Sequence, residues 1–309
     1  MFLIFIFNFE KMEKWMSKIP DEKKLVLINI PGTHDSTAFY MNCCGSCFAK
    51  CQNLDIMSQL NIGVRIFDIR VTKNNSENLE DSIICCHGIC DCYHIINNKK
   101  INLKYKYVLI QFKQFLKNNP TETIIIKTDS GRGRGNKYIN LQYSSEIFDN
   151  ILGNISIKYR NNLTMGNLRG KVLCIYNENL EEGTDIINIH NKYTNGNKNF
   201  NEFKVNGELK VKEIKDLMEI YNYNFSEAEK NMNLPLNYET SCTGEFTKII
   251  PLPKYEANIV NKFLKEYNFK KGYYYGWISI DFIDEFITRK IIRSNFLEED
   301  NMSDDCLDI

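Results

Sequence analysis

The sequence Ile28-Asn29-Ile30-Pro31-Gly32-Thr33-His34-Asp35-Ser36 decides how the fold is interpreted, because an apolar run ends there and ionisable side chains follow it at once. The run from Leu25 to Ile30 predicts a buried strand, and Pro31-Gly32 predicts the turn that ends it. An α/β enzyme commonly builds its site from residues that follow the carboxyl ends of its strands. His34 and Asp35 stand in that position and are the first candidate site residues.

The composition favours one large globular domain without a strongly charged partner. The 309 residues are 43% hydrophobic and 12% aromatic, enough to bury a substantial core, and α/β barrels of this length are commonly one domain. The 39 Lys and Arg residues balance the 39 Asp and Glu residues. A chain without net charge creates no overall field for a nucleic acid, so we expect no nucleic-acid partner and only local anion binding. We expect a monomer.

The two termini differ from the body of the chain. Residues 1–12 form an apolar extension that lacks the basic region and cleavage site of a secretory signal and is too short to cross a bilayer. Residues 298–309 form an acidic tail that we expect to be disordered. The catalytic unit is therefore expected over residues 13–297, with no transmembrane segment. A cytoplasmic or peripheral-membrane location is favoured, and secretion stays open as the alternative.

Predicted strands and helices alternate along the body of the chain. After Leu25–Ile30 the predicted strands are Val64–Arg70, Ile83–Cys86, Thr123–Thr128, Lys171–Tyr176, Leu234–Tyr238, Tyr274–Ile280 and, more weakly, Ile186–Ile189. Apolar residues at helical spacing predict helices around Val108–Leu116, Ile214–Tyr221 and Val260–Tyr267. This alternation predicts a single-domain α/β fold, an irregular (distorted) TIM-type (β/α) barrel. The irregularity is expected at residues 72–82, a polar segment too short for a helical crossover.

Polar side chains collect at the carboxyl ends of the predicted strands. They are His34, Asp35, Asp68, Arg70, His87, Asp129 and Asp281. In a (β/α) barrel these ends form one rim, where active sites are built. Two histidines and an arginine suit phosphoryl transfer by a paired acid and base, with the guanidinium holding charge on the phosphate oxygens and no metal required. The competing interpretation is that each histidine is a hydrogen-bonded core residue.

Eight of the 11 cysteines fall into two groups. The groups are Cys43, Cys44, Cys47 and Cys51, then Cys85, Cys86, Cys90 and Cys92. The spacings Cys44-x-x-Cys47 and Cys86-x-x-x-Cys90 suit a zinc site, and thiols this close could also form disulfides. Reduced thiols that pack as small apolar groups are the third interpretation. The spacing does not decide among the three.

Several motifs, taken in order, resemble one enzyme family. They are Trp15-Met16-x-x-Ile19-Pro20, Ile30 to Ser36, Gly63-Val64-Arg65-Ile66-Phe67-Asp68-Ile69-Arg70, His87-Gly88, Asn119-Pro120-x-Glu122-Thr123-Ile124-Ile125, Arg169-Gly170-Lys171-Val172, Lys210 to Asp216 and Gly276-Trp277-Ile278-x-x-Asp281. Over residues 13–295 the chain resembles the X domain of phosphatidylinositol-specific phospholipase C, in its bacterial single-domain form. The resemblance implies an enzyme that cleaves an inositol phospholipid at a membrane surface.

The resemblance also implies a role for each rim residue. His34 would be the general base that deprotonates the inositol 2-hydroxyl, oriented by Asp281. His87 would be the general acid that protonates the diacylglycerol oxygen, helped by Asp35, and Arg70 would stabilise the pentacoordinate phosphorus. The products would be diacylglycerol and a cyclic inositol phosphate. Intramolecular attack by a hydroxyl held near phosphorus carries the usual proximity advantage.

Two acidic residues leave metal dependence open. Asp68 could position Arg70 or could bind calcium, as an acid does there in calcium-dependent relatives. Those relatives have another acid in place of Arg70. In this chain the fixed positive charge of the Arg70 guanidinium would replace that of calcium, which favours an enzyme that needs no metal. Asp129 stands where bacterial members have a lysine and calcium-dependent members an acid. A calcium-dependent hydrolase using Asp68 and Asp129 is therefore the alternative, and an ion pair between Asp129 and Arg70 is the structural explanation.

The headgroup pocket departs from the family pattern. Asn177 replaces an arginine that contacts the inositol ring, and Asn201 replaces an aspartate, so the preferred lipid is open. Arg132, in a glycine-rich loop after a predicted strand, is a further candidate contact to a phosphorylated headgroup, with a solvated loop as the alternative. A lipid-headgroup binding module with weak catalysis is the alternative from another functional class.

Overall fold

The computed structural model describes residues 12–41, 49–131, 135–160, 162–176, 207–232, 237–239 and 253–297. The strands are β1 (Ile30–Thr33), β2 (Ile66–Lys73), β3 (Ile83–His87), β4 (Cys90–Asp91), β5 (Tyr93–Ile96), β6 (Lys99–Asn102), β7 (Ile124–Ser130), β8 (Ser156–Lys158), β9 (Val172–Tyr176), β10 (Asn237–Glu239) and β11 (Trp277–Ile280). The α-helices are α1 (Ile56–Asn61), α2 (Tyr105–Asn118), α3 (Lys137–Leu152), α4 (Met165–Leu168), α5 (Gly207–Ile220), α6 (Phe225–Asn231), α7 (Pro253–Glu266) and α8 (Glu285–Arg293).

One largely parallel sheet organises the structure. Its main path runs β10-β11-β1-β2-β7-β9-β8, and every neighbouring pair on that path is parallel. β3 joins β2 in the antiparallel sense and β4 pairs with β3, which makes nine strands. The described strands do not close into a ring, and β10 and β8 are the outer strands of the path. Parallel neighbours end at the same edge, so β11, β1 and β2 bring their carboxyl ends together.

The first strand lies later in the sequence than the apolar run predicts. Leu25–Leu27 form a 3-10 turn, and β1 starts at Ile30 and continues through Pro31-Gly32. The prediction of a strand over Leu25–Ile30 is therefore wrong, because burial alone does not distinguish a turn from a strand. Gly32 is needed inside β1, since a Cβ there would lie 2.8 Å from the Cβ of Ile66 on β2. The Pro-Gly pair thus lets two strands approach closely instead of ending one.

The predicted irregularity after β2 is confirmed. Instead of crossing over through a helix, the chain turns back, and residues 71–73 pair with residues 83–85 in the antiparallel sense. The excursion continues through β4 and a separate two-stranded ribbon, β5-β6, before α2 begins. The antiparallel return along β3 places His87, the last residue of that strand, at the rim of the sheet.

Most of the other predicted elements are present with shifted ends. Strands occur at β2, β3, β7, β9, β10 and β11, and helices at α2, α5 and α7. The short strands β8 and β4 to β6, and the helices α1, α3 and α8, add to those predicted. The strand predicted at Ile186–Ile189, most of the N-terminal extension and the acidic tail lie outside the described residues.

Buried apolar residues form two clusters on the two faces of the sheet. On β7, Ile124 and Ile126 belong to the larger cluster and Ile125 to the smaller one. This alternation is the period of two expected for a strand buried on both faces. Arg65, just before β2, is fully buried and forms an ion pair with Glu122, with Nη2 2.8 Å from Oε2. That pair ties the start of β2 to the segment that enters β7.

Candidate active site

Three adjacent strands place most of the predicted site residues on one face of the sheet. Ile30, Ile66 and Trp277, at the starts of β1, β2 and β11, belong to the smaller apolar cluster. Every second residue along a strand faces the same way. Continued toward the carboxyl ends, this face carries His34 after β1, Asp68 and Arg70 on β2, and Asp281 after β11. The site is therefore the polar end of an otherwise apolar face.

His34 is held by Asp281 through one ring nitrogen and faces the site with the other. Nδ1 lies 2.9 Å from Asp281 Oδ1 and donates to that carboxylate. Nε2 has three polar neighbours. Arg70 Nη2, at 3.2 Å, donates to it when the ring is neutral, and two carboxylate oxygens, Asp35 Oδ2 at 3.3 Å and Asp68 Oδ2 at 3.8 Å, attract its proton when the ring is charged. The ring is thus supported in both protonation states.

The charges around His34 set its protonation. Burial lowers the pKa of His34, but the negative charges of Asp35 and Asp281, with the hydrogen bond to Asp281, outweigh that effect and raise the pKa to about 10. Arg70 opposes this rise with its positive charge. His34 is therefore protonated on both ring nitrogens at neutral pH, and its neutral form is a minority species.

Asp35 connects the two histidines and the arginine. Its Oδ2 lies 3.3 Å from His34 Nε2 and 3.0 Å from His87 Nε2, and its Oδ1 lies 2.9 Å from Arg70 Nε. The residue has a φ of 40°, in the left-handed region that asparagine and aspartate tolerate better than most residues. The turn after β1 thus uses an uncommon backbone conformation to point this carboxylate into the centre of the site.

Asp68 forms an ion pair with Arg70 and holds its guanidinium in place. Its Oδ2 lies 3.2 Å from Arg70 Nη2 and accepts a bond from the backbone N–H of Asp35 at 3.3 Å. Burial would raise the pKa of Asp68, but the charges of Arg70, Lys127 and His34 outweigh burial and hold that pKa well below its usual range. Asp68 is therefore ionised and fixes the guanidinium.

His87 is oriented by a backbone carbonyl. Its Nδ1 donates to the carbonyl oxygen of Ala49 at 2.7 Å, so Nε2 is the nitrogen that faces the site. The rings of His87 and His34 are 6.4 Å apart between centroids and nearly perpendicular, at 86°. Two imidazoles with separate orienting partners, one carboxylate between them and one guanidinium beside them can exchange protons at two different atoms of a bound molecule.

Two supporting residues, Gln52 and Asn261, could not be identified from the sequence, and neither could the contact between Cys51 and His87. Gln52 Nε2 donates to the carbonyl oxygens of His34 and Ile280, at 2.8 Å each, and so joins the ends of β1 and β11. Asn261, on α7, donates to the carbonyl oxygen of Asp281 at 2.9 Å. Cys51 places its sulfur 3.8 Å from His87 Nδ1. A buried amide or thiol in a loop has no periodic signal, so only the tertiary structure places these groups.

Asp129 lies on the strand next to that of Arg70, and the remaining predicted site residues lie outside the described residues. Asp129 pairs in register with Arg70 across β2 and β7, and its Oδ1 lies 3.6 Å from Lys137 Nζ. Among the described residues, three sets of neighbouring side chains could hold a metal ion. One of these sets includes Asp68, and none of them includes Asp129. Asn177, Asn201 and Arg132 lie outside the described residues.

The six cysteines among the described residues carry thiols; they are Cys51, Cys85, Cys86, Cys90, Cys92 and Cys174. Burial raises the pKa values of the Cys51, Cys85 and Cys92 thiols, which favours the neutral form. All three belong to the larger apolar cluster, as the third interpretation expects, and zinc binding at the cysteine groups stays a prediction. Cys43, Cys44 and Cys47 lie outside the described residues.

A helix capable of spanning a bilayer is not found among the residues that the structure describes.

Comparison with known proteins identifies the family. A family model described as phosphatidylinositol-specific phospholipase C, X domain, matches residues 28–178. The 1-phosphatidylinositol phosphodiesterase of Staphylococcus aureus (strain Newman) is 30% identical over an alignment of 234 residues that covers 71% of this chain and 69% of the relative. The protein of the same name from Listeria monocytogenes serovar 1/2a is 29% identical over an alignment of 173 residues that covers 53% of this chain and 48% of the relative.

Solved structures show the same fold. A crystal structure of phosphatidylinositol-specific phospholipase C from Staphylococcus aureus with incorporated pentafluoro-Phe has a TM-score of 0.71 at 22% identity, and covers 93% of this chain and 98% of that chain. The phosphatidylinositol-specific phospholipase C from Listeria monocytogenes has a TM-score of 0.67 at 22% identity, over 93% of this chain and all of that one. The irregular TIM-type barrel predicted from the sequence is thereby confirmed, and with the sequence matches this shows that the chain belongs to the X-domain family of phosphatidylinositol-specific phospholipase C.

Proposed function

We propose that this chain is a phosphodiesterase that cleaves phosphatidylinositol or a related inositol phospholipid into diacylglycerol and a cyclic inositol phosphate. The observation that carries the proposal is the placement of His34 and His87 on either side of Asp35, each oriented through its Nδ1 by a separate partner. A base and an acid so separated can serve the attacking and the leaving oxygen of one phosphate.

In the first step His34 acts as the base. Neutral His34 takes the proton of the inositol 2-hydroxyl on Nε2, and that oxygen forms a bond to phosphorus. The Nδ1–H bond to Asp281 keeps the ring in place, and the carboxylate stabilises the positive charge that develops on it. Because the hydroxyl belongs to the same molecule as the phosphate, attack has the advantage of an intramolecular reaction.

In the second step His87 acts as the acid. Its Nε2–H gives a proton to the diacylglycerol oxygen as the bond from that oxygen to phosphorus breaks, with Asp35 Oδ2 3.0 Å from this nitrogen. Arg70, held by Asp35 and Asp68, faces the charge that grows on the phosphate oxygens. Fixed donors aimed at developing charge need no reorganisation during the reaction, which is their main benefit.

The proposed substrate reaches the site from a membrane surface by peripheral contact. We also propose that Asn177, Asn201 and Arg132 contact the lipid headgroup. This proposal rests only on where these residues stand in the sequence relative to the family pattern. Two amides in place of charged groups would bind sugar hydroxyls without a strong preference for a charged ring. A glycolipid anchor or a phosphorylated inositol lipid is therefore included among the substrates to be compared.

One experiment tests the proposal and its alternatives. The purified chain is offered vesicles of phosphatidylinositol, phosphorylated inositol lipids and an inositol glycolipid, with and without a strong chelator, and the products are identified by mass. We expect cyclic inositol phosphate in both conditions, made by the native chain and not by His34→Ala. Activity that chelator abolishes and calcium restores would favour the calcium-dependent alternative with Asp68 and Asp129. Lipid binding without any cyclic product would identify a binding module and contradict the proposal.

A further inference from the structure

Cys51 is a buried thiol at the centre of the site that the proposed reaction does not use. Its sulfur lies 3.8 Å from His87 Nδ1. Its carbonyl oxygen accepts a bond from the backbone N–H of Phe282 at 2.7 Å, which fixes Cys51 next to Asp281. Only 2% of the residue is exposed. The thiol therefore has a defined position among ionisable groups.

Two sets of possible metal ligands share this one cysteine. One ligand atom each from His34, Cys51 and Asp281 lie within 4.8 Å of one another, and the same holds for Asp35, Cys51 and His87. A tetrahedral zinc ion has ligands at about 2.0 Å for nitrogen or oxygen and about 2.3 Å for sulfur, so its ligand atoms lie roughly 3.3–3.5 Å apart. Small side-chain movements would therefore convert either set into a coordination site.

The charge of the site favours a divalent cation. Three carboxylates, those of Asp35, Asp68 and Asp281, surround the Arg70 guanidinium and His34. The net charge of these groups is minus one while His34 is protonated and minus two once an ion has displaced its Nδ1 proton. The donors also select the kind of ion. Calcium and magnesium bind oxygen ligands, whereas a set with sulfur and imidazole nitrogen prefers zinc and similar thiophilic ions.

We propose that Cys51, His34 and Asp281 form an inhibitory binding site for a thiophilic divalent cation such as Zn²⁺. The ion binds the Cys51 thiolate, His34 Nδ1 and an Asp281 oxygen, and the thiol proton and the Nδ1 proton pass to solvent. Coordination at Nδ1 replaces the hydrogen bond between His34 and Asp281. A metal-bound His34 can no longer work with Asp281 as the proposed base, so the bound ion stops the reaction.

Cobalt(II) is the probe, because a thiolate ligand gives a near-ultraviolet charge-transfer band and a tetrahedral site gives intense visible bands. We expect native chain to show both bands at about one Co²⁺ per molecule, and Zn²⁺ to remove them by displacement. Cys51→Ser should lose the near-ultraviolet band and bind about 100-fold more weakly or worse, since even a change beside a ligand costs roughly 10- to 100-fold. Cys174→Ser, at another buried cysteine, is the matched control and should keep both bands.

Further variants test the choice of ligands. His34→Ala should lose tight cobalt binding, and His87→Ala should keep the thiolate band. Lipid cleavage by native chain should fall on addition of Zn²⁺ and recover with chelator, each variant being compared with its own zinc-free rate. Absence of a thiolate band in native chain, its persistence in Cys51→Ser or its loss in His87→Ala would each overturn the proposal. The spectra do not depend on turnover, so their failure is distinguishable from failure of the proposed activity.

Discussion

At the scale of single residues, the two histidines of the site differ in what holds Nδ1. His34 is held by a carboxylate, Asp281, whereas His87 is held by a neutral carbonyl, that of Ala49. A carboxylate stabilises an imidazolium that forms during the reaction, which suits a base. A carbonyl fixes the ring without adding a full negative charge, which suits an acid that must release its proton. The proposed roles follow from this asymmetry.

Asp281→Asn should change the pH dependence of catalysis. Burial lowers the pKa of His34, and Asp35 and Asp281 together raise it to about 10, so the rate should rise with pH as neutral His34 accumulates. Removing one negative charge lowers that pKa, and the rising limb of kcat/KM should move to lower pH. The maximal rate should fall about a hundredfold or more, since the ring loses its orienting partner. Asp149→Asn, at an exposed carboxylate of α3, is the control. A rising limb that stays in place would contradict the assignment.

Gln52 is predicted to be a positioning residue. Because its amide joins the carbonyl oxygens of His34 and Ile280, Gln52→Ala should loosen the contact between His34 and Asp281. We expect kcat to fall about 100-fold with little change in KM, as a displacement of about 1 Å in a reacting group can cause. The rising limb of the pH profile should also shift. A variant that loses only thermal stability, with normal kcat and pH profile, would show that Gln52 is merely structural.

At the scale of elements, the buried pair of Arg65 and Glu122 couples β2 to β7. Both side chains are fully buried, and Arg65 also donates to the carbonyl oxygens of Leu60 and Val64. Glu122→Ala leaves a buried guanidinium without its carboxylate and should lower the free energy of unfolding by about 3–5 kcal/mol. Urea denaturation measures this, with Glu219→Ala at an exposed site of α5 expected within about 0.5 kcal/mol of native. A loss below about 1 kcal/mol for Glu122→Ala would show that the pair adds little.

The sequence predicts some strands of the sheet much better than others. β2, β7 and β9 each begin with residues that are apolar on both faces, so the sequence predicts them readily. β1 could not be placed correctly, because its residues Pro31 and Gly32 normally end a strand, and only the neighbouring Ile66 explains why Gly32 is needed. The β4 to β6 excursion was not predicted, since its strands are short and partly exposed.

At the scale of the molecule, the parallel order of β11, β1 and β2 assembles the site. His34 and Asp281 are 247 residues apart in sequence and 2.9 Å apart in space. The positions of His34, Asp35, Asp68, Arg70, His87 and Asp281 at strand ends were sufficient to predict that they meet. The supports Gln52 and Asn261 were not predictable, because their contacts are to backbone carbonyls of distant segments.

The raised pKa of His34 also makes global stability depend on pH. The folded protein binds this proton more tightly than the unfolded chain, whose histidine pKa is near 6.5, against about 10 when folded. The stabilisation is therefore complete below the pKa of the unfolded histidine and is lost as pH rises toward the pKa of His34 in the folded protein. Between pH 7 and 9 native chain should lose about 2–3 kcal/mol of unfolding free energy that His34→Ala does not lose. Equal slopes for the two proteins in urea denaturation would contradict this coupling.

The most direct test of the proposed division of work between His34 and His87 is a change of leaving group. The rates of native chain, His34→Ala and His87→Ala are measured on phosphatidylinositol and on an inositol nitrophenyl phosphate, whose leaving oxygen needs no proton. We predict that both variants lose several orders of magnitude on the lipid, and that on the nitrophenyl ester His87→Ala regains most of its rate while His34→Ala does not. Equal recovery of both variants, or recovery of His34→Ala alone, would contradict the assignment of His34 as base and His87 as acid.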